Sequence, residues 1–282
     1  MSDNLLLMLR ALVAVMVMAI GMGATPADLV EVWRRPKLLI RSVVAMYLLV
    51  PLLALILMAV LPVSLEVEVA LLVIAISSGA PLLPKKLMGL DNEAYVFSLL
   101  VTSSLLAVVT VPAWLTALRA AFGGGAGLGS GDVARVVATT LLAPLLLGMA
   151  LRLLLPFVDD RLSDRILRIA GVVLTLLGVV VLGMHWRFLA AAGWSYLVTL
   201  GLMITGALAI GHWLGGPEDD DRTALAVACA TRHLGIAVLV AASLPGPRVM
   251  VLVAAYLAVS AAVSVPYLGC RKRRSSRRLR GA

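Results

Sequence analysis

Long apolar runs separated by short polar connections dominate the chain. Each run is close to the roughly 20 residues that an α-helix needs to cross a bilayer. The runs are continuous, whereas the strands of an outer-membrane barrel alternate apolar and polar positions. The pattern therefore predicts an all-α, multi-pass membrane protein with about nine transmembrane helices. The runs cover residues 5–24, 38–61, 67–90, 94–118, 133–155, 166–186, 189–214, 223–244 and 249–268.

Composition supports the membrane class and excludes others. The 282 residues are 62% hydrophobic and 14% charged, and the mean hydropathy is +1.05. A soluble domain is about half apolar and a quarter charged, and a disordered chain has little apolar surface to bury. Cys229 and Cys270 show no metal-ligand spacing, which favours buried free thiols. No enzyme, metal or cofactor is expected.

Charge predicts the orientation of the chain in the membrane. Much of the net charge of +9 lies in residues 270–282, a basic segment after the last apolar run. Such a segment indicates a cytoplasmic tail in the cell (inner) membrane, with anionic-lipid contact as a secondary role and no nucleic-acid binding. With an odd number of crossings, the basic residues in segments 34–37, 85–86 and 161–165 lie on the same side as this tail.

The first run allows a second interpretation as a secretory signal, because it ends in small residues at positions 23–27. Two observations favour a retained span. The first four residues include an aspartate and no basic residue, and a retained span completes the charge pattern.

The chain is expected to divide into two repeats. Residues 122–132 are rich in glycine and predict a flexible linker. They separate a first repeat of four helices, residues 1–121, from a second repeat of five helices, residues 133–269. Aligning the repeats from their C-terminal ends starts them on opposite sides of the membrane, which predicts inverted topology.

Two runs contain residues that helices in lipid avoid. In the third run, prolines remove backbone donors and a glycine adds flexibility, so the helix is expected to unwind. In the eighth run, Arg232 lies about ten residues in, close to the middle of the bilayer. A charge there costs about 2.5 to 3.5 kcal/mol, so the guanidinium is expected to face protein or water. The third run carries Ser77, Ser78, Gly79, Pro81, Pro84 and Lys85, and the eighth carries Thr231, Arg232, His233 and Gly235.

Each interruption lies in the next-to-last run of its half. Discontinuous helices in corresponding places are typical of the midplane site of a secondary transporter. The ten residues of the interruptions and Ser103 of the fourth run are therefore the candidate substrate-binding residues. Other roles stay open for several of them. Lys85 suits a cytoplasmic helix end, the serines and Thr231 suit bonds to nearby carbonyls, and Ser103 suits helix packing.

The motifs resemble the bile acid:sodium symporter superfamily, particularly its divergent bacterial members. The similar segments are residues 22–23, 34–37, Pro51, 77–81 and 230–235. This resemblance covers nearly the whole chain. It implies a panel domain, formed by the first, fifth and sixth runs, and a core domain formed by the others. The two broken helices would cross inside the core, beside the substrate path.

The chain departs from the sodium-using members of that superfamily. They carry Glu, and then Gln-Asn four and five residues later, where this chain has Ala228, Arg232 and His233. Their Ser-Asn pair falls on Leu83 and Pro84. A sodium ion at 4 Å from a guanidinium would be repelled by about 4 kcal/mol at an effective dielectric of 20.

We therefore expect no sodium coupling and a different role for Arg232. Its guanidinium would act as a fixed cation that attracts a small organic anion, such as a carboxylate or sulfonate. Proton coupling through His233 stays open. A passive channel or a sensory receptor on the same scaffold is an alternative. An intramembrane hydrolase with Ser77 or Ser78 as nucleophile and His233 as base is disfavoured, because Arg232 opposes an adjacent imidazolium.

Overall fold

The computed structural model of the chain describes residues 3–23, 32–78, 93–122, 135, 139, 142–155, 160–184, 186–233, 237, 240–241 and 248–281. These residues are helical almost throughout, and none of them belongs to a strand, which confirms the all-α class. The helices are α1 (Asp3–Gly23), α2 (Pro36–Val60), α3 (Leu65–Ile76), α4 (Glu93–Phe122), α5 (Ala143–Leu154), α6 (Asp160–Met184), α7 (Trp186–Leu214), α8 (Asp219–Ala230) and α9 (Arg248–Gly281).

Three segments of the described chain are long and apolar enough to cross a membrane. They are Pro36–Val60, Ser195–Leu214 and Val251–Arg273. Large apolar side chains such as Leu153 and Leu176 are exposed on the outside of the bundle, which suits contact with lipid. The chain is therefore a membrane protein. The nine crossings and the inverted relation of the halves stay predictions.

The helices pack in two groups. In the three-helix group, α1 packs along α5 and α6; in the six-helix group, α2, α3, α4, α7, α8 and α9 pack on one another. Contacts of α6 with α9 join the groups. The most deeply buried segments are the ends of α3 and α8, because residues 70–78 and 223–233 are all buried. These two ends therefore lie at the centre of the six-helix group.

Two glycines allow α1 and α5 to approach closely. A Cβ atom on Gly21 would overlap the Leu145 carbonyl oxygen, and one on Gly148 would overlap the Met18 carbonyl oxygen. Small residues at such interfaces let helix backbones touch, which is how helices associate in lipid.

This contact predicts opposite effects for two identical substitutions. Gly148→Ala is expected to destabilise the protein by about 1–3 kcal/mol, because the added methyl group forces the helices apart. The control is Gly201→Ala in α7, where a Cβ meets nothing within 4 Å. There the better helix propensity of alanine is expected to add up to about 1 kcal/mol. Thermal unfolding in detergent measures both. Equal effects of the two substitutions would contradict the close packing.

Charged side chains tie three helices together at one end of the six-helix group. Arg35, just before α2, bonds through Nη1 to Asp221 Oδ2 at 3.1 Å. Arg271 of α9 bonds through Nη2 to Asp219 Oδ1 at 2.9 Å and through Nε to Thr223 Oγ1 at 2.9 Å. These four charged residues, Arg35, Asp219, Asp221 and Arg271, form the polar end cluster.

Helix α9 extends beyond the last apolar run. That run ends at residue 268, and the helix continues through the basic segment to Gly281. Arginine, lysine and leucine are good helix formers, and the contacts of Arg271 anchor the first turn beyond the apolar run. The basic segment therefore begins as an extension of the helix.

Candidate functional site

The two interrupted helices end against each other. Helix α3 ends at Ile76 and α8 ends at Ala230, and the residues that follow each end leave the helical conformation. The backbone N–H of His233 donates to the Ser77 carbonyl at 2.8 Å. Residues 77–78 and 231–233 thus form one contact region, named the junction here.

Two hydroxyl groups at the junction bond to their own helices. Ser77 Oγ donates to the Val73 carbonyl at 2.6 Å, and Thr231 Oγ1 donates to the Val227 carbonyl at 2.5 Å. This pattern satisfies carbonyls in the last turn of each helix. The Ser77 proton is directed at a carbonyl, which gives no support to a serine nucleophile activated by His233.

Helix α2 contributes a carbonyl to the junction because its hydrogen bonding changes register. Residues Ala45–Leu49 form a π-helical turn, in which N–H groups bond five residues back. The Met46 carbonyl would then need the N–H of residue 51, which is proline and has none. Arg232 Nη1 donates to the Met46 oxygen instead, at 3.1 Å. The proline and the π-turn together therefore create a docking point for the guanidinium.

Tyr47 in the same turn links α2 to α4. Its carbonyl accepts Trp114 Nε1 at 2.9 Å, and its hydroxyl donates to the Ser103 carbonyl at 2.5 Å. Both Tyr47 and Ser103 are buried. Ser103 thus takes part in this site through its backbone.

Tyr256 of α9 holds the end of α8. Its hydroxyl accepts the Arg232 backbone N–H at 2.6 Å and donates to the Ala230 carbonyl at 2.5 Å. Both bonded groups belong to a helix end, where intrahelical partners are missing. The Tyr256 hydroxyl therefore supplies hydrogen-bond partners that the end of α8 lacks.

Removal of this hydroxyl is expected to be costly. Tyr256→Phe leaves a buried N–H and a buried carbonyl without partners and should destabilise the protein by about 2 kcal/mol. Tyr196→Phe is the matched control, because the Tyr196 hydroxyl donates to the Leu252 carbonyl inside α9 and has no second bond among the described residues. That carbonyl keeps its helical bond, so a loss of about 1 kcal/mol or less is expected. Thermal unfolding compares the two variants, and a larger loss in Tyr196→Phe would contradict this role.

The Arg232 guanidinium is buried, and the described part of the chain gives it no counter-charge. The residue is 4% exposed, and Nε and Nη2 have no hydrogen-bond partner among the described residues. Its close polar neighbours are Tyr47, Cys229 and Tyr256, and no described carboxylate lies within ion-pair distance. Nε and Nη2 lie on one edge of the planar group, where two parallel N–H bonds suit one carboxylate or sulfonate.

The described candidate residues gather at this place. Ser77, Ser78, Thr231, Arg232 and His233 form the junction, and all are buried. Gly79, Pro81, Pro84, Lys85 and Gly235 lie outside the described residues.

Three parts of the site are not predicted by the sequence, namely the Met46 carbonyl, Tyr47 and Tyr256. The available signals were tyrosines within apolar runs, whose hydroxyls need partners when buried, and a proline that frees carbonyls in the preceding turn. Neither signal identifies the residue on another helix that the hydroxyl or carbonyl group contacts.

The cysteines have no common role. Cys229 is buried in α8, as expected, but Cys270 is exposed on α9, so the prediction of a buried thiol is wrong there. Helix α9 continues past the packed core at that point, which leaves the side chain outside it. Among the described residues, no three His, Cys, Asp or Glu side chains are grouped as a metal site.

A family comparison decides the relationship of the chain. The model of the Sodium Bile acid symporter family matches residues 10–192. The chain belongs to the sodium bile acid symporter family. This finding confirms the resemblance seen in the sequence motifs. A search of curated proteins found no match.

Membership in the sodium bile acid symporter family informs the function of the first interruption, after α3, more than that of the second interruption, after α8. The matched segment includes Ser77 and Ser78 but ends before Arg232 and the second interruption. The family suggests a symporter-like membrane transporter and not an enzyme. The chemistry of Arg232 therefore depends on the groups that surround it.

Proposed function

We propose that the chain is a secondary transporter that moves an organic anion with a carboxylate or sulfonate group by alternating access and binds that group at Arg232. The observation that carries this proposal is the buried guanidinium, whose Nε and Nη2 atoms have no partner among the described residues. A buried cation costs about 2.5 to 3.5 kcal/mol at the centre of a bilayer, and a bound anion offsets that cost. Such a charge is a functional site by default.

The geometry of Arg232 favours a planar or tripodal oxyanion. Nη1 is fixed on the Met46 carbonyl, and the backbone N–H is fixed on Tyr256. The remaining edge offers two parallel donors at the spacing of two oxygens on one carboxylate or sulfonate. Other candidate residues of the interruptions, including Gly79, Pro81, Pro84, Lys85 and Gly235, would line the path on either side.

Sodium coupling is disfavoured by the same charge. Repulsion of about 4 kcal/mol at 4 Å weakens binding of a sodium ion roughly a thousandfold. We propose that the guanidinium takes the place of a coupling cation, and that uptake does not depend on sodium. A proton carried by His233 is the second route to coupling.

The two helix groups suggest how access alternates. We propose that the three-helix group is the panel and the six-helix group is the core, and that they move against each other. The junction lies inside the six-helix group, so the anion would move with the core. The proposed setting is the inner membrane, with two inverted repeats and a cytoplasmic C-terminus.

Counterflow into proteoliposomes tests the transporter proposal. Taurocholate is a suitable probe, because its sulfonate stays ionised and does not leak as a neutral acid. Vesicles preloaded with unlabelled taurocholate are expected to accumulate external labelled taurocholate transiently, at equal rates in sodium and potassium buffers. A channel gives no transient accumulation, and a receptor gives binding without flux. Either result contradicts the proposal, and accumulation only in sodium would contradict the role given to Arg232.

A further inference from the structure

Within the part of the chain that the structure describes, no acidic side chain neutralises Arg232. Asp221 is the closest acidic residue before it along the chain, and that carboxylate bonds to Arg35 in the polar end cluster. The phenol groups near the guanidinium are committed as well. Tyr47 donates to the Ser103 carbonyl, and Tyr256 donates to the Ala230 carbonyl.

The guanidinium is also held in place. Nη1 bonds to the Met46 carbonyl of α2, while the backbone N–H bonds to Tyr256 of α9. Helices α2, α8 and α9 belong to the same six-helix group. Turning Arg232 away from the junction would break contacts within that group, so Arg232 keeps its place when one group moves against the other. In an open state water would reach its Nε and Nη2 edge, and in a closed state water would be excluded from it.

This arrangement has a consequence for the transport cycle, and that consequence rests on the proposed function. The site must pass through a closed state in both directions. With an anion on the Nε and Nη2 edge, the closed state carries paired charges. Without one, the Nε and Nη2 edge of a buried cation has neither water nor a counter-charge. Relative to an open state in which water reaches that edge, the penalty at the centre of a bilayer corresponds to roughly a hundredfold in rate.

We propose that the chain is an obligatory anion exchanger. After one anion has been released, the site with its fixed Arg232 guanidinium opens again to the first side of the membrane only when a second anion is bound. One anion enters as another leaves. Exchange of two monovalent anions moves no net charge. No bond is made or broken in the cycle.

Two matched sets of proteoliposomes test this inference. One set contains ethanesulfonate, and the other contains polyacrylate, a polyanion too large to enter the site. Potassium on both sides with valinomycin clamps the membrane potential, so that charge build-up does not limit net uptake. Labelled taurocholate is then added outside. Uptake into the ethanesulfonate vesicles is expected to be about a hundredfold faster than uptake into the polyacrylate vesicles.

Variants separate the charge from general damage to the protein. Arg232→Lys keeps the charge and is expected to keep the dependence on internal anion, even if uptake is slower. Arg232→Gln is expected to bring the ratio of the two rates close to one. Arg41→Gln, a neutralisation of an exposed arginine on α2, is expected to leave the ratio unchanged.

The outcomes also separate this inference from the proposed function. Equal rates in the two wild-type vesicle sets would overturn obligatory exchange and leave transport standing. Absence of taurocholate uptake in both sets would overturn the two together. The wild-type ratio decides the matter even if Arg232→Gln fails to fold.

Discussion

Arg232→Gln is expected to lower the uptake of taurocholate by at least about a hundredfold. The substitution removes two charge-assisted hydrogen bonds, each worth about 1.5–3 kcal/mol, and the attraction of a buried cation for an anion. A total of about 3 kcal/mol already corresponds to more than a hundredfold. Glutamine is similar in polarity but shorter, and it cannot present two parallel donors on one edge. The measurement is the initial rate of counterflow at a low taurocholate concentration.

Two further variants show whether the loss of uptake depends on the charge and the donor geometry of Arg232. Arg232→Lys retains the charge without the two-donor edge, so its rate is expected to lie between those of wild type and Arg232→Gln. Arg41→Gln makes the same chemical change at an exposed position of α2 and should transport like wild type. Wild-type uptake by Arg232→Gln, with normal insertion and folding, would remove Arg232 from the binding site.

Arg35→Gln is expected to lower the free energy of unfolding by about 3 kcal/mol. The substitution leaves the Asp221 carboxylate, whose side chain is 3% exposed, without its arginine at 3.1 Å. Loss of one partner of a buried pair usually costs about 3–5 kcal/mol, and the lower end applies because the Arg35 side chain is 39% exposed. Thermal or denaturant unfolding in detergent measures the change.

A double-mutant cycle with Asp221→Asn isolates the pair. Arg35→Gln combined with Asp221→Asn is expected to be more stable than Arg35→Gln alone, because a neutral amide then replaces the buried carboxylate that has lost its ion pair with Arg35. Arg34→Gln, a change at the exposed neighbouring arginine, should have an effect within about 0.5 kcal/mol. Additive effects of Arg35→Gln and Asp221→Asn would show that the ion pair contributes nothing to stability.

The sequence was most informative where local chemistry decides the structure. The helix class follows from continuous apolar runs. Helices α3 and α8 end directly before Ser77 and Thr231, where the interruptions that the sequence predicts begin. Proline, glycine and a buried charge act on their own segment of chain, so their effect can be predicted without knowing the fold. The candidate residues of the junction that the structure describes were found in this way.

Long-range partners could not be predicted in the same way. An acidic run such as residues 218–221 is typical of a solvated loop at the start of a helix. Asp221 is nevertheless buried against Arg35, which is 186 positions away along the chain. The same limit applies to Tyr256 and to the Met46 carbonyl. Nothing near Arg232 in sequence shows which phenol or carbonyl it meets, because helix packing decides that contact.

The position of a bound anion can be observed by anomalous diffraction from crystals of the protein grown with 2-bromoethanesulfonate. The bromine signal fixes where the probe lies, and the density shows which atoms its sulfonate contacts. Binding at Arg232 predicts sulfonate oxygens at about 2.7–2.9 Å from both Nε and Nη2, with the Nη1 bond to Met46 retained. A probe bound elsewhere, with the Arg232 edge turned onto protein carbonyls, would contradict an anion site at the junction.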